Sequence, residues 1–245
     1  MKELSLAQSW YWFVLIAIVC YFIGCFNWAV IIAKAHHKDV HKIGSGNPGS
    51  MNMSREFGLK IGLLNFVLDA CKAGIPLLVS YFVFRGYVFQ GTTVVVSDLT
   101  RYLCGVCVVI GHIYPVTMKF KGGKGIAATY GTFLFALGCE NPWYILIMLG
   151  GYLLVLAFIF LTEVGSMGSL LGVSAFAIWQ GAEFFVRYEA CLQSGYVIVL
   201  FMLLLLFNLL TWYAHRKNIA RFYCGEEHRT SVKKLRKGKR GMKNM

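Results

Sequence analysis

Seven separate apolar runs, at roughly 10–33, 59–84, 102–118, 125–138, 143–161, 169–186 and 196–213, dominate this chain of 245 residues. A helix of about twenty residues, rising ~1.5 Å per residue, crosses a ~30 Å hydrocarbon core. Inside that core every backbone N–H and C=O must find a partner within its own segment, which restricts such runs to α-helices. The expected fold class is therefore all-α: a polytopic integral membrane helical bundle of about seven transmembrane helices. The run at 125–138 is short and rich in Gly and Ala, which suits a half-span or a closely packed helix sheltered by its neighbours. Composition agrees, with 58% hydrophobic and 14% charged residues against about 45–50% and about 25% in soluble domains.

The charged residues that remain are unevenly placed. Counting by parity of the loops, one side receives Lys34, Lys38, Lys42, Arg55, Lys60, Lys119, Lys121, Lys124 and eleven cations after the last run, whereas the other receives Lys2, Arg85, Arg101 and Arg187. Positive loops stay in the cytoplasm, so the N-terminus is expected outside and the C-terminus inside. The net charge of +13 then reads as attraction to anionic lipid and anionic substrate, and no nucleic-acid partner is expected. One membrane domain, 1–225, is followed by a basic tail, 226–245, expected to be unstructured and to lie on the lipid surface. The Ile23-Gly24-Cys25 stretch is a poor lipoprotein cleavage site because Phe22 precedes it, so the first run is expected to be uncleaved. The eight Cys carry no metal spacing and most sit in apolar runs; Cys104 and Cys107 lie inside a span. No disulfide framework, metal or cofactor is expected.

Parity also brings the segments after runs one, three, five and seven to one face, and these are the chemically unusual ones. Lys119-Phe120-Lys121-Gly122-Gly123-Lys124-Gly125 places three cations and three glycines before a helix start. Consecutive glycine N–H groups, the helix terminus and Lys124 together outline a phosphate cradle, although the sequence is not a Walker A loop. An ordinary positive-inside turn explains the same residues. The run Gly44 to Arg55 offers Ser45, Asn47 and Asn52 as neutral donors for a polyol and Arg55 as a bidentate phosphate grip, or else it is a surface loop. His112, in Gly111-His112-Ile113-Tyr114-Pro115, either hydrogen-bonds substrate or braces a helix end. His215, Arg216 and Asn218 leave the last span as substrate grip or as interfacial anchors. Asp69 and Lys72 share a helix face near the midplane, as internal brace or catalytic pair. An H-x-x-x-x-D acyltransferase pattern, a G-x-S-x-G elbow and a zinc cluster are all missing. A transporter of a phosphorylated metabolite is the alternative reading, but it calls for inverted repeats and a polar path across the midplane, where only Asp69 and Lys72 stand.

Taken together, Ser45-Gly46-Asn47-Pro48-Gly49-Ser50-Met51-Asn52 to Arg55, the Asp69 to Lys72 pair, Gly111-His112-Ile113-Tyr114-Pro115-Val116 with Lys121-Gly122-Gly123-Lys124-Gly125, and His215-Arg216 with Asn218 and Ile219 resemble the bacterial membrane family of acyl-phosphate:glycerol-3-phosphate acyltransferases. The resemblance implies that domain 1–225 moves an acyl chain from acyl phosphate to the 1-hydroxyl of glycerol 3-phosphate, giving lysophosphatidic acid and phosphate for phospholipid biosynthesis. It implies a multi-pass protein of the bacterial cytoplasmic (inner) membrane, whose partners are acyl phosphate, glycerol 3-phosphate and membrane lipids. Ser45, His112, Lys124 and His215 are its expected catalytic residues. Asn47, Asn52, Arg55, Gly122, Gly123, Gly125, Ser166 and Asn218 are its expected substrate-binding residues. The chain departs from the family pattern at Thr162-Glu163-Val164, where T-R-Y is usual, and at Ser50-Met51, where Ala-Thr is favoured. No nucleophilic side chain is required, because acyl phosphate is already activated.

Overall fold

The computed structural model describes residues 1–227; the expected basic tail from residue 228 onward lies outside the described residues. The elements in chain order are β1 (Lys2–Leu4), α1 (Leu6–Cys25), α2 (Trp28–Ala35), α3 (Ser50–Phe57), α4 (Leu59–Phe84), β2 (Tyr87–Phe89), α5 (Val96–Ile113), α6 (Ile126–Glu140), α7 (Tyr144–Thr162), α8 (Gly165–Arg187), α9 (Gly195–Ala214) and α10 (Arg216–Tyr223). The two three-residue strands pair in parallel, Lys2 opposite Tyr87, and join the start of the chain to the connection after α4. Among the described residues they are the one addition to an otherwise helical fold.

Among the described residues six segments are long and apolar enough to cross a membrane: Leu6–Ala35, Leu59–Phe84, Val96–Met118, Tyr144–Thr162, Gly165–Arg187 and Gly195–Ala214. The first expected span is in fact two helices, broken at Phe26-Asn27. Asn27 makes the break by accepting the Val30 N–H on Oδ1 at 3.1 Å while its amide donates to Pro48 O at 3.2 Å, an N-cap inside an apolar run. The run expected at 125–138 is α6, of 15 residues, about 22 Å long. It is sheltered by α4, α5, α7 and α8, and Ala128, Thr129, Thr132, Phe133, Ala136 and Leu137 have no exposed surface at all.

The centre of the bundle is α5, with 72% of its apolar window buried against 11% for α7. Its contact with α1 is a backbone contact. A Cβ on Gly24 would lie 2.2 Å from Val108 O, and one on Gly111 would lie 2.1 Å from Tyr21 O, so only glycine admits this crossing. The crossing sets the C-terminal end of α5, with His112, against the α1–α2 break. At the other end of α5 a buried charge cluster ties three helices. Asp98 binds Arg101, and it takes Arg187 Nη1 at 2.8 Å and the Tyr188 hydroxyl at 2.6 Å; Glu140 takes Arg187 Nη2 at 2.9 Å and Arg101 Nη2 at 3.2 Å. Two of the four cations assigned to that side by parity are therefore neutralised in place, as burial demands.

Candidate functional site

The segments that parity brings to one face do converge. They are the 36–49 connection with α3, the 114–125 connection, the α7–α8 turn and the stretch from His215 to Glu227. The last three meet at the carboxylate of Glu227, the 114–125 connection through Asn218, and Arg55 on α3 adds its charge there. Its Oε1 accepts from Ser166 Oγ at 2.8 Å and from Asn218 Nδ2 at 2.8 Å, and its Oε2 accepts from Arg221 Nε at 3.4 Å. The Asn218 carbonyl oxygen in turn accepts from Lys124 Nζ. Ser166 opens α8 and is buried; Asn218 and Arg221 lie one turn apart on α10.

Electrostatics follow from this crowding. Burial lowers the Lys124 ammonium from 10.5 to about 8; Glu227 opposes the fall, and Arg221 and Arg55 add to it. Arg55, on α3, is lowered by burial and by the Arg221 charge. Burial would raise Glu227, but hydrogen bonds from Asn218 and Ser166 and the charges of Arg221 and Lys124 hold it below the usual carboxylate range. His215 is lowered to about 4 by burial and then by Lys124. It is therefore neutral at physiological pH, and its Nδ1 lies 2.8 Å from Thr211 O. A carbonyl only accepts, so Nδ1 carries the proton and Nε2 keeps a lone pair. The cluster thus contains three cations, a hydroxyl, a carboxamide and one imidazole acceptor, gathered around a single anion.

The Gly122-Gly123 segment corrects one expectation. Their N–H groups do not point at an anion; they donate to Ile113 O at 3.1 Å and His112 O at 3.0 Å, closing the C-terminal end of α5. What these glycines supply is proximity: a Cβ on Gly122 would stand 2.1 Å from His112 O, and one on Gly123 would stand 2.2 Å from His112 Nε2. The groups left with donors to spare are instead Lys124 and the first turn of α6. There Gly125, at φ +78°, caps with no side chain over the free N–H groups, which leaves them available to a ligand.

Other expected residues are placed differently. Asn52 is buried and spent on the loop: it accepts from Ser45 N at 2.9 Å and donates to Ile43 O at 3.1 Å. Ser45 is exposed and Asn47 half-buried, and among the described residues no hydrogen bond joins either side chain to the Glu227 cluster. Arg216 donates to Tyr213 O and lies over that ring at 4.2 Å, an interfacial placement. Asp69 and Lys72 meet His112 rather than the cluster. Arg221 and Glu227 were not anticipated from sequence, although Glu226 and Glu227 are the only acids after Glu189, a signal hidden by assigning them to the tail.

The family model for glycerol-3-phosphate acyltransferase matches residues 14–225. The chain belongs to that family. All four motifs that carried the resemblance lie inside the matched range. Among similar relatives, the glycerol-3-phosphate acyltransferase of Finegoldia magna is 35% identical over 90% of this chain and 97% of its own length. That of Clostridioides difficile is 32% identical over 91% and 97%. A crystal structure of PlsY (YgiH), an integral membrane glycerol 3-phosphate acyltransferase in its glycerol 3-phosphate form, superposes with a TM-score of 0.71 at 27% identity, covering 91% of this chain and 98% of that one. The lysophosphatidic acid form of the same enzyme superposes at 0.69.

Proposed function

We propose that this chain transfers an acyl group from acyl phosphate to the 1-hydroxyl of glycerol 3-phosphate, at the cytoplasmic face of a bacterial inner membrane, in phospholipid biosynthesis. The observation that carries this reading is the Glu227 carboxylate, an anion already seated among Lys124, Arg221, Ser166 and Asn218. A substrate phosphate asks for the same donors in the same place. The cytoplasmic assignment rests on the cation asymmetry.

In this reading Lys124 and the open first turn of α6 hold one phosphate, with Arg55 and Arg221 sharing its charge and Ser166 donating a neutral bond. Asn218 orients the glycerol, while the lone pair on His215 Nε2 accepts from a hydroxyl. The 1-hydroxyl oxygen attacks the acyl carbonyl carbon; the bond from that carbon to the phosphate oxygen breaks, and inorganic phosphate departs. A histidine lowered to about 4 orients the hydroxyl but is a weaker base than phosphate, whose monoesters ionise a second time near pH ~6. The hydroxyl proton therefore ends on the departing phosphate. The protein contributes position and charge, and orientation alone can supply about 7–11 kcal/mol. Gly122, Gly123 and Asn52 act through loop shape.

The test is phosphate release by the purified protein from a long-chain acyl phosphate. It should require glycerol 3-phosphate and should not occur with glycerol, which lacks the anion. Release at the same rate without glycerol 3-phosphate would rule the proposal out.

A further inference from the structure

Behind the 122–125 loop, three ionisable residues meet in the protein interior. Lys72 Nζ stands 3.0 Å from Asp69 Oδ1, with side chains only 5% and 1% exposed. The ammonium has three N–H groups, and besides Asp69 it has three neighbouring acceptors, of which His112 Nδ1 is the nearest: Gly24 O at 3.2 Å, Phe26 O at 2.9 Å and His112 Nδ1 at 2.8 Å. Asp69 Oδ1 faces the ammonium as its counter-charge, while Asp69 Oδ2 accepts from Asn65 Nδ2 at 3.0 Å. The two carbonyls belong to the α1–α2 break and can only accept. The third N–H is thus aimed at His112, and Nδ1 must receive it on a lone pair. Asp69 is no rival partner for Nδ1, at 3.7 Å.

An imidazole that accepts at Nδ1 and is neutral carries its proton on Nε2. That is the atom turned toward the loop. The place where Gly123 lacks a Cβ is 2.2 Å from Nε2, against 3.0 and 3.1 Å from the two adjacent ring carbons. The ring therefore points its Nε2 vertex at the residue before Lys124, while Gly123 N bonds back to His112 O at 3.0 Å.

We infer that Lys72, held charged by Asp69, is a positioning residue that fixes His112 as the neutral Nε2–H tautomer, so that His112 presents a hydrogen-bond donor, and not a base, to the loop carrying Lys124. The arrangement places the two histidines of the site in opposite tautomers. His215 donates from Nδ1 and offers a lone pair, suited to a hydroxyl; His112 accepts at Nδ1 and offers an N–H, suited to an anion. The Asp69–Lys72 pair achieves this with no net charge added to the membrane interior, where an unpaired charge is costly. Capping α1 accounts for two of the three Lys72 hydrogen bonds and leaves the third, to His112, without a purpose.

The identity of the anion rests on the proposed function, but the tautomer does not, and the two are tested separately. Full-length protein labelled with ¹⁵N-histidine in lipid nanodiscs, without substrate, reports the protonation of each ring nitrogen by chemical shift and by N–H coupling. His112 is assigned by its loss in His112→Gln. The expected result is an unprotonated Nδ1 and a protonated Nε2 between pH 6 and 8, and loss of that pattern in Lys72→Met. A protonated Nδ1, or a pattern unchanged in Lys72→Met, would overturn the inference. Turnover gives the second readout. The His112→Gln amide reaches the position of Nε2–H, whereas the His112→Asn amide reaches only that of Nδ1. His112→Gln should keep about a tenth or more of wild-type kcat/KM and the acidic limb that phosphate ionisation near pH ~6 imposes, while His112→Asn should lose on the order of 10²-fold, the usual effect of one anion-directed donor. Equal inactivity of two folded variants, with the acidic limb gone from any residual activity, would make His112 a base and refute the donor assignment.

Discussion

Substituting Lys124 by Ala should abolish acyl transfer while leaving the protein folded and inserted. The ammonium is half-buried between Asn218 and the charges of Arg55, Arg221 and Glu227, and its fall from 10.5 to about 8 corresponds to about 3 kcal/mol against carrying the charge there, at ~1.36 kcal/mol per pKa unit. A site that carries that cost with only Glu227 to offset it recovers it when a phosphate, with its larger charge, arrives. Removing the side chain removes this recovery, and a loss of about 3 kcal/mol is on the order of 10²-fold in kcat/KM, within the range typical of one preorganised electrostatic contact. The assay is initial-rate lysophosphatidic acid formation by the monodisperse variant, with Lys121→Ala as control. Lys121 is exposed on the same loop and should be replaceable with little effect. If Lys124 served only to keep its loop in the cytoplasm, Lys119 and Lys121 would substitute for it. A correctly inserted Lys124→Ala that keeps more than about half of the wild-type kcat/KM would refute the reasoning, given the expected size of the contact.

Three further outcomes are expected. Because Lys124 is lowered to about 8, kcat/KM for glycerol 3-phosphate should fall about tenfold per pH unit above that value, and the limb in kcat should lie at higher pH, since bound phosphate favours the charged ammonium; a flat kcat/KM up to pH ~10 would contradict this. Truncation after Glu227 should leave turnover near wild type, whereas truncation after Gly225 removes the carboxylate that occupies Ser166, Asn218 and Arg221 in place of phosphate and should lower the KM for glycerol 3-phosphate about tenfold, an effect the size of one charged hydrogen bond; equal KM in the two truncations would remove Glu227 from the site. Asp98→Asn, at the far end of the bundle, leaves Arg101 and Arg187 with one carboxylate between them and should destabilise the fold by about 3–5 kcal/mol, read as a lower Tm in detergent with an unchanged KM.

How far the sequence carried can be seen from particular residues. The spans were legible because the bilayer sets a length, and the convergence of the odd segments followed from counting them. The break at Asn27 was not, since a single polar side chain in a continuous apolar run does not reveal that its amide reaches Pro48 across the chain. Lys124, Asn218 and Ser166 were legible as residue types suited to an anion. The direction of the Gly122 and Gly123 N–H groups was not, because glycine content permits a cradle and equally permits a tight return onto α5; only the positions of Ile113 O and His112 O decide between them. Asp69 and Lys72 announced each other by their spacing, yet their partner lies 40 residues beyond Lys72. Glu227 was obscured by the cations that follow it.

The most direct test of the account is the balance of products. Purified full-length protein in lipid nanodiscs, supplied with a long-chain acyl phosphate and radiolabelled glycerol 3-phosphate, should yield labelled 1-acyl lysophosphatidic acid and inorganic phosphate in equal amounts, with no product when an acyl thioester replaces the acyl phosphate. Labelled product formed only from the thioester, or phosphate released without labelled lipid, would contradict it.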